Sequence, residues 1–296
     1  MCDETTETEN ADWLAGQTLG RREFGLIGVS AAGLALFPGC ASGTGPSGAS
    51  TDTVSQKVII DTPDGKADAF FVHPAEGRHP AILLWPDVAG LRPAYEMMAT
   101  RLAAAGYAVL AINPYYRSQP APIFEAFAEW RTEAGQAKLA PMRAAITNDG
   151  IVSDARTLID WLDRQPAIDT ARGIGSCGYC MGGPYTFRTA FARPERVGAI
   201  ASFHGARLTG KDADSPNALI AGFKAAMLVA IAQNDDEREP DAKDILRTAA
   251  KTASRPAEIE VYPAQHGWCT IDSPVYDQAQ AEKAWGRMLA TFSQYL

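Results

Sequence analysis

Short apolar runs alternate along this chain with longer segments whose apolar residues recur every three or four positions. The runs predict strands at Lys57–Ile60, Ala67–Val72, Ala81–Trp85, Ala108–Ile112, Gly173–Gly178, Val197–Ser202, Ala226–Ala232 and Glu258–Tyr262. Helical spacing falls at Arg92–Ala105, Ile123–Ala137, Ile151–Arg164, Met181–Phe191, Pro240–Lys251 and Gln278–Tyr295. Thr62-Pro63-Asp64-Gly65, between the first two strands, is turn chemistry, so those two are expected to pair as a hairpin. From there on strand, helix and strand repeat. That order predicts an α/β protein with a mostly parallel central sheet and helices on both faces, folded as one domain over residues 53–296. In such sheets reactive groups gather beyond the carboxyl ends of the strands.

The first 52 residues break the rhythm. Arg21-Arg22-Glu23-Phe24 leads into an uncharged apolar stretch ending at Pro38, too short to cross a bilayer comfortably, then into Gly39-Cys40-Ala41-Ser42 and a Gly/Ser/Pro/Thr-rich run. The pattern looks like a twin-arginine export signal, so residues 1–52 are expected to be a signal and flexible linker, and the protein periplasmic. Cys40 is a candidate lipidation site, although Phe37 and Pro38 fit the lipoprotein pattern poorly. The membrane is thus expected to be met only through the signal or a lipid on Cys40. A net charge of −8 without Lys/Arg clusters argues against a nucleic-acid surface, and a monomer is expected.

Chemistry-capable residues sit just past several predicted strands. Gly178-Tyr179-Cys180-Met181-Gly182 has the Gly-x-Cys-x-Gly spacing of the nucleophile elbow of α/β-hydrolases, with sulfur in place of oxygen. The turn needs small residues on either side of the nucleophile, and Cys180 at the start of a helix gains from the helix dipole. The Met181 N–H would point where an oxyanion forms. Past Ala226–Ala232 come Asp235 and Asp236, and past Glu258–Tyr262 comes His266, giving the order nucleophile, acid, histidine. An imidazole at His266 can take the thiol proton, and either carboxylate can orient it. Arg207, in His204-Gly205-Ala206-Arg207, follows another strand. Tyr115, Tyr116, Trp85 and Trp268 also fall at strand ends, placed to wall a pocket.

With these, His79-Pro80-Ala81-Ile82 leading into Asp87-Val88-Ala89-Gly90-Leu91, Asn113-Pro114-Tyr115-Tyr116-Arg117, Gly178-Tyr179-Cys180-Met181-Gly182-Gly183 and His266-Gly267 make the chain resemble the dienelactone hydrolase family beyond its first 52 residues. The resemblance implies an α/β-hydrolase fold and a Cys, His, Asp triad at Cys180, His266 and Asp236, the aspartate four before a proline, with Asp235 the alternative. It implies oxyanion donors at Met181 and Val88, a gating carboxylate at Asp87 and a substrate carboxylate held by Arg117. The family's second arginine falls at Thr270, and Arg207 is the candidate replacement.

The expected activity is hydrolysis of an activated ester or lactone through a thioester, with a general carboxylesterase lacking carboxylate specificity as the alternative. Two further readings are a Cys177/Cys180 redox pair and a non-enzymatic binding protein. No metal or organic cofactor is expected, because the four histidines lack ligand spacing.

Overall fold

The computed structural model describes residues 4–20 and 52–296, so the arginine pair, the apolar stretch after it and Cys40 lie outside the described residues. Eight strands form one sheet: β1 (Thr53–Thr62), β2 (Gly65–Pro74), β3 (Ala81–Trp85), β4 (Ala108–Ile112), β5 (Ile174–Tyr179), β6 (Val197–Phe203), β7 (Ala226–Ala232) and β8 (Ala257–Tyr262). Their spatial order is β1-β2-β4-β3-β5-β6-β7-β8. β1 and β2 pair as the expected hairpin, β2 meets β4 antiparallel, and every later pairing is parallel.

β3, β4, β5 and β7 are buried along their whole length, which is why they read as continuous apolar runs. Helices α2 (Pro93–Ala104) and α9 (Gln278–Tyr295) cover one face, packing Tyr95, Leu102, Met288 and Phe292 against Val109, Cys177 and Leu228. The other face carries α4 (Asn148–Leu162), α5 (Gly183–Ala192) and α8 (Ala242–Thr252), which pack Leu158, Phe187 and Leu246 against Leu83, Leu110 and Val229. Each fully buried Leu or Phe contributes roughly 1.5 to 3 kcal/mol. The sheet is therefore held from both sides, and its carboxyl ends form a firm platform.

Three helical segments differ from the sequence expectation. The helix expected over Ile123–Ala137 is a short 3₁₀ turn at Phe127–Arg131 followed by α3 (Glu133–Ala144). Thr132 ends the turn in an extended conformation and restarts the chain as an N-cap, its hydroxyl accepting from the Gly135 amide at 3.0 Å. Beyond the four-residue α6 (Pro216–Leu219), the acidic stretch after β7 is α7 (Gln233–Arg238), which is not among the helices expected from the sequence. Ahead of the sheet, Glu4–Gly20 forms α1. No helix among the described residues is long and apolar enough to cross a membrane.

Candidate active site

Cys180 stands where β5 ends, in a 3₁₀ turn of Cys180–Gly182 that runs directly into α5. Its φ of 52° lies in the left-handed region, costly for a residue with a Cβ. The two flanking glycines make the turn possible. A Cβ at Gly178 would lie 2.1 Å from the Gly182 carbonyl oxygen, and one at Gly182 would lie 2.3 Å from that of Trp85. Only hydrogen fits at either place, so the elbow spacing follows from backbone contacts.

Cys180, His266, His204, Asp87, Val88 and Asn10 line one small cavity. His266 follows β8 and is held twice from α7. Its backbone amide donates to Asn234 Oδ1 at 2.8 Å, and its ring Nδ1 pairs with Asp235 Oδ2 at 2.7 Å. Burial works to raise the Asp235 carboxyl, but the His266 charge and hydrogen bond, with Arg238 beside them, outweigh it and hold it below its ordinary value. With Nδ1 on the carboxylate, Nε2 is the nitrogen that can serve a thiol.

The aspartate chosen by register, Asp236, is not the one on His266. Its carboxylate accepts from Lys243 Nζ at 2.6 Å. The reason is helical geometry: successive side chains on α7 diverge by about 100°, so Asp235 faces His266 while Asp236 faces outward toward α8.

Two other expected residues have different partners. Both Asp87 oxygens bind the Arg92 guanidinium, at 2.8 and 3.0 Å, and one also accepts from the Ala89 amide. Arg92 is itself buried and pairs with Asp272 as well. Asp87 thus lines the cavity as a fixed member of an ion-pair chain, in place of the expected contact with the thiol. Arg117 lines neither cavity that contains Cys180. It forks onto Asp154 and Asp64, at 2.8 and 2.6 Å, and lies over the Tyr116 ring. The hairpin turn and α4 surround it with carboxylates, which makes it a structural clamp.

The alternative Cys177/Cys180 redox pair does not form. Cys177 is a free thiol on β5, fully buried, and burial pushes its pKa up. Cys180 is disulfide-bonded.

The dienelactone hydrolase family model matches residues 67–296, a span holding the whole elbow, α7 and His266. The chain belongs to the dienelactone hydrolase family. A Salmonella typhi protein that carries the provisional name carboxymethylenebutenolidase is 25% identical over 257 residues, covering 80% of this chain and 91% of that protein. A carboxymethylenebutenolidase of Rhodococcus opacus is 25% identical over 226 residues, covering 74% and 83%. A crystal structure provisionally named a dienelactone hydrolase, from Klebsiella pneumoniae subsp. pneumoniae, superposes with a TM-score of 0.71 at 22% identity, over 82% of this chain and 100% of that one. The chain is a hydrolase acting on esters or lactones.

A second cavity is also lined by Cys180. It encloses about 460 Å³ and is lined by Val88, Met181 and Tyr185, and by Arg143, Arg188 and Arg207, with no carboxylate in the wall. Arg207 was foreseen there; Arg188 and Arg143 were not. Arg188 is only 6% exposed, donates to the backbone oxygens of Pro184 and Asp214, and leaves Nε without a partner. Burial lowers its pKa, against the pull of Asp214. A guanidinium so enclosed is short of negative charge. Nothing in the sequence marked it, since Arg188 reads as one polar residue on an amphipathic helix. Trp268 lines neither cavity that contains Cys180; it is buried against His204, their ring centroids 5.3 Å apart. No cluster of His, Cys, Asp or Glu among the described residues is arranged to hold a metal ion.

Proposed function

We propose that the protein hydrolyses activated esters or lactones bearing a carboxylate, of the carboxymethylenebutenolidase type, through a thioester on Cys180. The Asp235–His266 pair beside the elbow carries this reading. His266 takes the Cys180 proton, and Asp235 fixes the ring and balances the imidazolium that forms. The thiolate attacks the acyl carbon, and the N–H groups of Met181 and Val88, both in the cavity wall, receive the oxyanion. One such donor is worth about 3 to 4 kcal/mol in the transition state. Collapse expels the alkoxide or enolate, which leaves with a proton from His266. Water, activated by the same imidazole, then cleaves the thioester. Sulfur leaves a tetrahedral intermediate more readily than an alkoxide does, so the route favours good leaving groups, and a delocalised enolate is one.

Recognition of the carboxylate falls to Arg188, with Arg143 and Arg207, in place of Arg117. The enzyme acts in the periplasm after twin-arginine export. The test is mass spectrometry of the purified chain, kept under a thiol reductant, during turnover of an aryl ester and of an anionic lactone. An acyl adduct on Cys180, lost together with activity in Cys180→Ala, is the expected result. Hydrolysis that survives Cys180→Ala would remove the reading. Equal preference for neutral and anionic substrates would leave a general carboxylesterase.

A further inference from the structure

Helix α1 lies across the mouth of the site, and it grips the residues that hold His266. Asn10 Nδ2 donates to the His266 carbonyl oxygen at 3.0 Å, and Asn10 is itself buried in the wall of the Cys180 cavity. Glu9 Oε2 accepts from Asn234 Nδ2 at 3.0 Å, while the other end of that amide holds the His266 backbone. The buried Thr6 accepts through its hydroxyl from Arg238 Nη1 at 2.7 Å, and Arg238 also pairs with Asp235. The cavity left between α1, Cys180 and His266 is about 10 Å³, room for roughly one water molecule and too small for any ester. Glu9 also brings its carboxylate to 3.8 Å from Arg238 Nε, so the helix meets Arg238 with negative charge.

The second observation concerns the sulfur. Cys180 is disulfide-bonded in this arrangement, and a disulfide sulfur cannot attack a carbonyl. Nucleophile and base are thus closed by different means in one state of the chain.

We propose that segment Glu4–Gly20 is an intramolecular inhibitor of the site, docking on Asn234, Arg238 and His266 while Cys180 is masked as a disulfide, so that the full-length chain is latent. The inference rests on the assignment of Cys180 and His266 as the reacting pair. Release takes two steps. A dithiol reductant supplies two electrons and two protons; the Cys180 disulfide breaks to two thiols and the reductant becomes a disulfide. The helix then leaves, which opens the face of His266 to substrate. The segment stands immediately ahead of Arg21-Arg22, so removal of the export signal would remove the inhibitor with it.

Alkylation of the full-length chain by iodoacetamide, read by peptide mapping at Cys180, tests this without relying on hydrolysis. Cys180 of the oxidised chain should take no label. After dithiothreitol it should label slowly, and a Glu9→Arg, Asn10→Ala double variant should label at least tenfold faster than wild type. A synthetic peptide of residues 4–20 should slow the double variant back toward the wild-type rate. Labelling of the oxidised wild type, or equal rates in the reduced wild type and double variant, would overturn the proposal. If alkylation follows the expected pattern but no ester or lactone is cleaved by the reduced double variant, the inhibitor stands as a mask of Cys180 and the proposed hydrolysis fails.

Discussion

The rings of His204 and His266 meet edge to face, their centroids 4.8 Å apart, and neither nitrogen of His204 has a hydrogen-bond partner. His204 is fully enclosed, and burial, reinforced by His266, holds its pKa well below the ordinary value. It is therefore a neutral wall that supports the His266 ring beside Trp268. A base whose folded pKa is depressed binds fewer protons in the native state than in the unfolded chain, so stability rises with pH through that window. Stability should fall as pH drops below about 6.5, by at most roughly 1.4 kcal/mol per pH unit from this one group. Urea unfolding of His204→Phe should show a flatter profile between about pH 6.5 and 5 than wild type. Parallel profiles would mean that His204 is solvated.

Asp235 and Asp236 should separate cleanly in kinetics. Asp235→Asn removes the charge that faces His266 and should lower kcat on the order of a thousandfold, with KM little changed. Asp236→Asn breaks a partly exposed pair with Lys243 and should cost less than about threefold. The opposite ranking would restore the aspartate suggested by register.

The pH dependence of stability gives a second reading of Asp235. Its carboxyl is lowered in the fold, so its contribution is fully present above the ordinary aspartate value of about 3.9 and fades as pH falls through the lower folded value. The stability difference between wild type and Asp235→Asn should therefore shrink steadily below about pH 4. A difference that grows on acidification would show that the pair carries no such charge.

Much of this site was legible before the fold was known, and the gaps have physical causes. The strands were readable because burial on both faces makes β3, β4, β5 and β7 uniformly apolar. The elbow was readable because backbone contacts at Gly178 and Gly182 tolerate nothing but glycine. The choice between Asp235 and Asp236 was not, because it depends on the rotation of α7, and that stretch did not read as a helix at all. Arg117 misled through position alone: it follows β4 as expected, but Asp64 and Asp154 arrive from remote parts of the chain. The Ile123–Ala137 pattern failed because one side chain, Thr132, caps a new helix inside an otherwise periodic run. Helix α1 gave no apolar stripe to detect, since its contacts with the site are hydrogen bonds.

The two arginines should fail in different ways. Arg117→Ala strands Asp154, which is buried and whose carboxyl burial already raises against the pull of Arg117 and Tyr116. Removing one partner of a buried pair typically costs about 3 kcal/mol or more, so the urea midpoint should drop while kcat/KM of the folded fraction holds for charged and neutral esters alike. Arg188→Gln keeps a polar group against the Pro184 and Asp214 carbonyls, so the fold should survive. What it loses is the charge beside Cys180. A charge-assisted hydrogen bond contributes about 1.5 to 3 kcal/mol, so kcat/KM for an anionic lactone should fall roughly ten- to a hundredfold, with neutral aryl esters scarcely affected. Both enzymes should be assayed under a thiol reductant, since Cys180 must be free. If Arg188→Gln slows charged and neutral substrates equally, the arginine-lined cavity is not where the carboxylate sits.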